Sequence, residues 1–89
     1  HDIVRNAPQA VYQEYEFMTE LDGKMQHGII DLLLQYENRY VIIDYKLKEV
    51  TDEAYRKQLD GYKKYIYQKT GKPVEAYLYS ILDDRMVAM

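Results

Sequence analysis

The chain has 89 residues, no cysteine and a formal net charge of −3. That length suits one small domain or part of a larger protein, and the missing cysteines exclude disulfides and thiolate zinc sites. No apolar run approaches the roughly 18–20 residues of a membrane span, and no signal peptide is visible, so no membrane role and a cytoplasmic location are expected. A free-standing nucleic-acid binder is usually basic. The net acidity therefore argues against a DNA function, unless basic residues cluster or a longer protein holds the DNA. Hydrophobic residues make up 47% of the chain, enough for a core. Eleven tyrosines with no tryptophan imply many half-buried rings with wet hydroxyls.

In chain order, residues 1–10 carry Pro8 and read as an irregular entry. Residues 11–21, rich in Tyr, Val and Phe, read as a strand. Asp22-Gly23 is a hairpin signal and leads into a second strand at 24–35. Glu37-Asn38 is the next turn, with Asn tolerating the positive φ of tight hairpins. The third strand covers 39–47 and is apolar on both faces at Tyr40-Val41-Ile42-Ile43, which predicts a central position covered on both sides. Residues 51–70 switch to helical spacing. Thr51 is placed to cap this helix, with Asp52 and Glu53 in its first turn. Tyr55, Leu59, Tyr62 and Ile66 recur at 3.6-residue spacing and face the sheet. Gly71 is the C-cap candidate and Pro73 bars continuation. Gly61, inside the helix, suggests a close approach there. Residues 74–82 return to strand character, Asp83-Asp84 marks a turn, and 85–89 begin another strand. The expected fold is α/β: a mixed sheet opened by an antiparallel meander, with the helix on one face.

Two stretches organise this frame, Gly28-Ile29-Ile30-Asp31 and Ile43-Asp44-Tyr45-Lys46. A two-residue loop at 37–38 makes 36 face 39, and counting outward brings Asp31 opposite Asp44. Directly opposed Cβ atoms lie about 4.5–5.5 Å apart, where like charges destabilise a sheet. A divalent cation between them turns that cost into a site. Lys46 shares the face of Asp44 because strand side chains alternate. Two carboxylates and an ammonium are the minimum kit for metal-assisted phosphodiester hydrolysis. The same counting from Asp22-Gly23 sets Glu14 opposite Asp31, although a one-residue slip would reverse the faces. An ordinary Asp44–Lys46 salt bridge is the competing structural reading. Tyr62 equally fits the apolar stripe of the helix, Glu14 a strand surface, and His27 a solvated or structural role. Arg56, Lys57, Lys63 and Lys64 are candidates for phosphate contact, or simply a solvated helix face.

Gly28-Ile29-Ile30-Asp31, Ile43-Asp44-Tyr45-Lys46 and Tyr55-Arg56-Lys57-Gln58-Leu59-Asp60-Gly61-Tyr62, in that order and spacing, resemble the motifs of the RecB-like branch of the PD-(D/E)XK nucleases. The resemblance is closer to the C-terminal nuclease domain of AddA-type helicase–nucleases, and covers roughly residues 11–85. Thr70-Gly71-Lys72-Pro73-Val74 and Glu14-Tyr15-Glu16-Phe17 add to it, with Glu16 where that group often has proline. It implies a restriction-endonuclease-like core and a nuclease domain spanning 1–89, a fragment of a larger protein. It implies metal ligation by Asp31, Asp44 and the backbone carbonyl of Tyr45, with Glu14 a further candidate. Lys46 would orient the attacking water or steady the developing charge, and Gln58 and Tyr62 would lean over the site from the helix. Mg²⁺ suits such an all-oxygen site, and Mn²⁺ would also serve.

The implied function is metal-dependent cleavage of DNA, as an exonuclease in recombination and double-strand break repair. Its expected partners are DNA, a helicase domain in the same chain or complex, and a second nuclease subunit. Members of the family carry one more ligand, His or Glu, on a helix well upstream of the first strand. His1 stands too near that strand to replace it. The alternatives are a nuclease-fold module that binds DNA or a partner protein without cutting, and a plain interaction domain with salt-bridged acids.

Overall fold

The computed structural model describes residues 7–46 and 53–89. Strands β1 (Ala10–Leu21), β2 (Lys24–Gln35) and β3 (Tyr40–Lys46) come first. Helix α1 (Glu53–Thr70) and strands β4 (Val74–Ser80) and β5 (Arg85–Ala88) follow. The five strands form one sheet in sequential order. β1, β2 and β3 make the antiparallel meander, β3 and β4 run parallel on either side of α1 in sequence, and β5 returns antiparallel to β4. This is the expected mixed α/β sheet. The central place of β3 also holds: Val41, Ile42, Ile43 and Asp44 are all buried.

The turns explain the register. Asp22 and Gly23 both lie at positive φ, 54° and 76°, the conformation a two-residue hairpin demands. The 37–38 loop is closed by the Tyr36 amide donating to the Arg39 carbonyl at 2.9 Å. Asn38 does not use a left-handed conformation; the non-glycine residues that do, among those described, are Glu14, Asp22 and Asp84. The loop nevertheless keeps the predicted count, pairing Leu33 with Ile42 and Leu32 with Ile43. The last two strands end differently from expectation. β4 stops at Ser80, and residues 81–84 form the turn. The Asp83 amide donates to Ser80 Oγ at 3.2 Å, and Ile81 N–H to the Lys46 carbonyl at 3.0 Å. The first bond closes the turn, and the second is the last tie to β3, so the strand ends two residues early. β5 spans Arg85–Ala88, without Met89.

Helix α1 buries Leu59 and Ile66 completely against Ile30, Leu33, Ile42, Ala76 and Leu78, with Tyr55, Tyr62 and Tyr65 half-buried around them. The periodic stripe read from the sequence is therefore the packed face. The helix ends as expected: Gly71, at φ 71°, donates its amide to the Tyr67 carbonyl at 2.7 Å. The Thr51 cap and the extension of β3 to residue 47 lie outside the described residues. Gly61 is no site of close approach, since nothing lies within 4 Å of where its Cβ would be. Gly28 is such a site: an added Cβ would stand 2.8 Å from two atoms of the Phe17 ring and nearer still to a third. That ring stacks on Tyr65 at 4.2 Å and meets Tyr62 edge-on at 5.3 Å. Gly28 thus lets β1 and β2 press one aromatic cluster under the helix.

Candidate functional site

Strict alternation fails at one place in the β1–β2 hairpin. Ile30 and Leu33 both belong to the core under α1, while Leu32 and Leu34 join Val41 and Ile43 on the opposite face. Between Tyr15↔Ile30 and Gln13↔Leu32, Glu14 and Asp31 fall out of the ladder without changing its count. Glu14 takes up the irregularity with φ at 50°. Asp31 is released from pairing with β1 and turns toward β3. Its Oδ2 accepts the backbone N–H of Tyr45 at 2.9 Å.

Asp44 lies at the continuation of the β2–β3 register, opposite Asp31. It is only 4% exposed, and its carboxyl pairs with Lys46. Its pKa is raised to about 6, first by burial and then by the neighbouring Asp31 carboxyl, with Lys46 opposing both. Lys46 Nζ sits 2.9 Å from Asp44 Oδ2 with its side chain 17% exposed. On its other side lies the face of the Tyr55 ring, with Nζ 4.0 Å from the centroid. Asp31, Asp44 and Lys46 therefore meet on the helix-facing side of the sheet, as the loop count predicted. The salt bridge that stood as the competing reading also exists, and the second carboxyl beside Asp44 is what it leaves unexplained.

The other sequence candidates divide. Tyr45 presents its amide to Asp31 and an exposed ring at the surface. Gln58 is exposed and donates from Nε2 to the Tyr62 hydroxyl at 2.9 Å. That hydroxyl also lies 3.4 Å from the Ile29 amide, so Tyr62 is both a core ring and a polar tip. Gln58, expected to lean over Asp44 and Lys46, has its side-chain amide on the Tyr62 hydroxyl. Together with Tyr55, Gly61, Tyr62, Tyr65 and Gly28 it lines a half-open groove of about 690 Å³ between α1 and the β1–β2 hairpin. Tyr55 also borders Lys46, so this residue links the groove to Lys46. Lys57 and Lys64 line the groove, whereas Lys63 Nζ donates to the Met89 carbonyl at 3.2 Å and Arg56 stands 4.0 Å from Glu53. The basic run is thus split between two faces. Glu14 does not join the acids: it is exposed, and no group of three His, Cys, Asp or Glu suited to a metal occurs among the described residues. The left-handed backbone at Glu14 removes the side-chain alternation on which that expectation rested. His27 is exposed and pairs with Glu16 at 3.2 Å, a solvated role as read.

Sequence reasoning missed the seat of Lys46. The signal was present: Tyr55 lies three residues before Gln58 on the helix stripe that points at the end of β3.

No protein-family model matches the chain. It is 35% identical over 95 residues to an ATP-dependent helicase/nuclease subunit of Clostridium beijerinckii, covering 81% of the chain and 8% of that protein. It is 34% identical over 94 residues to the corresponding subunit of Clostridium novyi, covering 97% of the chain and 7% of that protein. The corresponding subunit of Clostridium perfringens matches at 37% over 94 residues, 79% of the chain and 7% of the relative. The chain is related to one region of these large subunits. It spans less than a tenth of the length of the curated relatives it matches.

No helix among the described residues is long and apolar enough to cross a membrane.

Proposed function

We propose that this chain is the nuclease portion of an AddA-type helicase–nuclease, a PD-(D/E)XK domain of the RecB-like branch that hydrolyses DNA phosphodiester bonds with a divalent cation. The observation that carries the reading is the meeting of Asp31, Asp44 and Lys46 on one face of two adjacent strands, with Asp44 buried. The names of the relatives, ATP-dependent helicase/nuclease subunits, support it.

The donor set fits Mg²⁺ or Mn²⁺. Two carboxyls brought together with one of them buried, its pKa raised, are a demand for positive charge. Mg²⁺ takes one or two carboxylates and keeps several waters, so a third protein acid is not required. Asp31 and Asp44 would hold the ion, with the Tyr45 carbonyl beside them. The ion supplies Lewis acidity and charge neutralisation at the phosphate. The chain's own residues do the rest. Tyr45 N–H fixes one oxygen of Asp31 and leaves the other to the site. Asp44 holds the Lys46 ammonium, and the N–H taken up by neither Asp44 nor the Tyr55 ring would face a phosphoryl oxygen or the attacking water. The groove beside them receives the strand, with Lys57 and Lys64 along its wall and Gln58 and Tyr62 on its floor. A helicase domain, a role in double-strand break repair and a second nuclease subunit belong to this reading.

The test is Mg²⁺-dependent cleavage of DNA by the longer protein that contains this chain, with Asp44→Ala as the comparison. Cleavage lost in the variant supports the proposal. DNA binding with no cleavage in the unaltered protein would favour the non-cutting module instead.

A further inference from the structure

We infer that Tyr55 is a positioning residue whose ring face clamps the Lys46 ammonium against Asp44 and aims it into the site. The inference rests on the assignment of Lys46 proposed above. A lysine on a strand end has four rotatable side-chain bonds and a strongly hydrated head. Left alone it would sample many rotamers. Here the head is held from two sides, by the Asp44 carboxylate at 2.9 Å and by the Tyr55 ring centroid at 4.0 Å. An ammonium has three N–H donors and no acceptor. One is used by Asp44, and a second lies over the electron-rich ring, which attracts cations within about 6 Å. This arrangement would leave the third for the site.

The ring is itself fixed. Tyr55 is half-buried against the core that contains Leu59 and Ile66, one turn before Leu59 on the same stripe of α1. The helix therefore reports its docking to the strand end through this ring. Asp44 alone would hold the charge but not its direction, since a carboxylate accepts from a wide range of angles. The ring adds a second point of contact and excludes water from that side. The hydroxyl is not part of the clamp, so the aromatic face is what the position requires.

The experiment uses the full-length protein containing this chain. An amine-acylating reagent is applied at one fixed pH in metal-free buffer, and labelling of Lys46, Lys63 and Lys69 is read by mass spectrometry. Cleavage of DNA in Mg²⁺ is measured in parallel. Tyr55→Leu and Tyr55→Met should label at Lys46 about tenfold faster, with Lys63 and Lys69 unchanged, and should lose about tenfold in kcat with KM unchanged. Tyr55→Phe and Tyr55→Trp, which keep a ring face, should restore both. Unchanged Lys46 labelling in the Leu and Met variants would overturn the clamp. So would a rise shared by all three lysines, which would show that the ring serves only the fold. Faster labelling with full kcat would overturn its role in positioning. Wild-type cleavage by Lys46→Ala would overturn the assignment of Lys46, while the labelling would still decide whether the clamp exists.

Discussion

Asp44 is where the cost of the site is concentrated. Its carboxyl is held at a pKa of about 6 against an ordinary 3.8. The folded protein therefore binds a proton between those values that the unfolded chain releases. Stability without metal falls as pH rises from about 4 to about 6, by on the order of 2–3 kcal/mol for this group. Asp44→Asn should flatten that slope, as followed by thermal unfolding in chelator across pH 4–7. The proton and a cation compete for the same oxygens, so affinity for Mn²⁺ should weaken below pH 6; calorimetric titration at pH 5.5 and 7.5 reads this directly. Gly28 is the other decisive residue. Gly28→Ala forces its methyl into the Phe17 ring and should destabilise by about 1–3 kcal/mol, with Phe17→Leu in the same chain recovering part of the loss. The motif glycine was visible in the sequence. Its reason was not, because it depends on which side chain crosses from β1.

Among the elements, the hairpin β1–β2 teaches most. Turn chemistry was sufficient to set both registers: Asp22-Gly23 adopts the positive-φ turn, and the 37–38 loop brings Asp31 to Asp44 whatever its dihedrals. The local break at Glu14 and Asp31 was not legible, because nothing in Gln13-Glu14-Tyr15 marks a left-handed residue. That break decides which acid enters the site. It turns Asp31 toward β3 and leaves Glu14 at the surface. Glu14→Gly should therefore be neutral or stabilising by up to about 1 kcal/mol, since glycine meets φ 50° without steric cost. Chemical denaturation measures it, and a marked loss of stability would contradict the described backbone. For α1 the 3.6-residue period found the packed face at Tyr55, Leu59, Tyr62 and Ile66 but not Tyr65, which stacks on Phe17. It said nothing of how far along β3 the helix would sit, and so it did not reveal that the Tyr55 ring lies over the Lys46 ammonium. Leu59→Ala, in the middle of that face, should cost about 2–5 kcal/mol by the same measurement.

At the scale of the whole molecule, two features set what this stretch can do unaided. Its net charge is −3, and its groove carries only Lys57 and Lys64 from the basic run. Attraction of phosphates supplies most non-specific DNA affinity, so the 89 residues alone should cut DNA weakly or not at all. Under the proposed function, the rest of a longer protein would supply the missing affinity. The central claim is that Lys46 and Asp44 belong to the chemistry rather than to a surface ion pair. The most direct measurement is Mg²⁺-dependent cleavage and DNA binding by the longer protein, with and without Lys46→Ala. An ammonium used in the transition state predicts a loss of about 10²–10³-fold in cleavage, with DNA affinity nearly unchanged. Cleavage by Lys46→Ala at the rate of the unaltered protein would contradict the account.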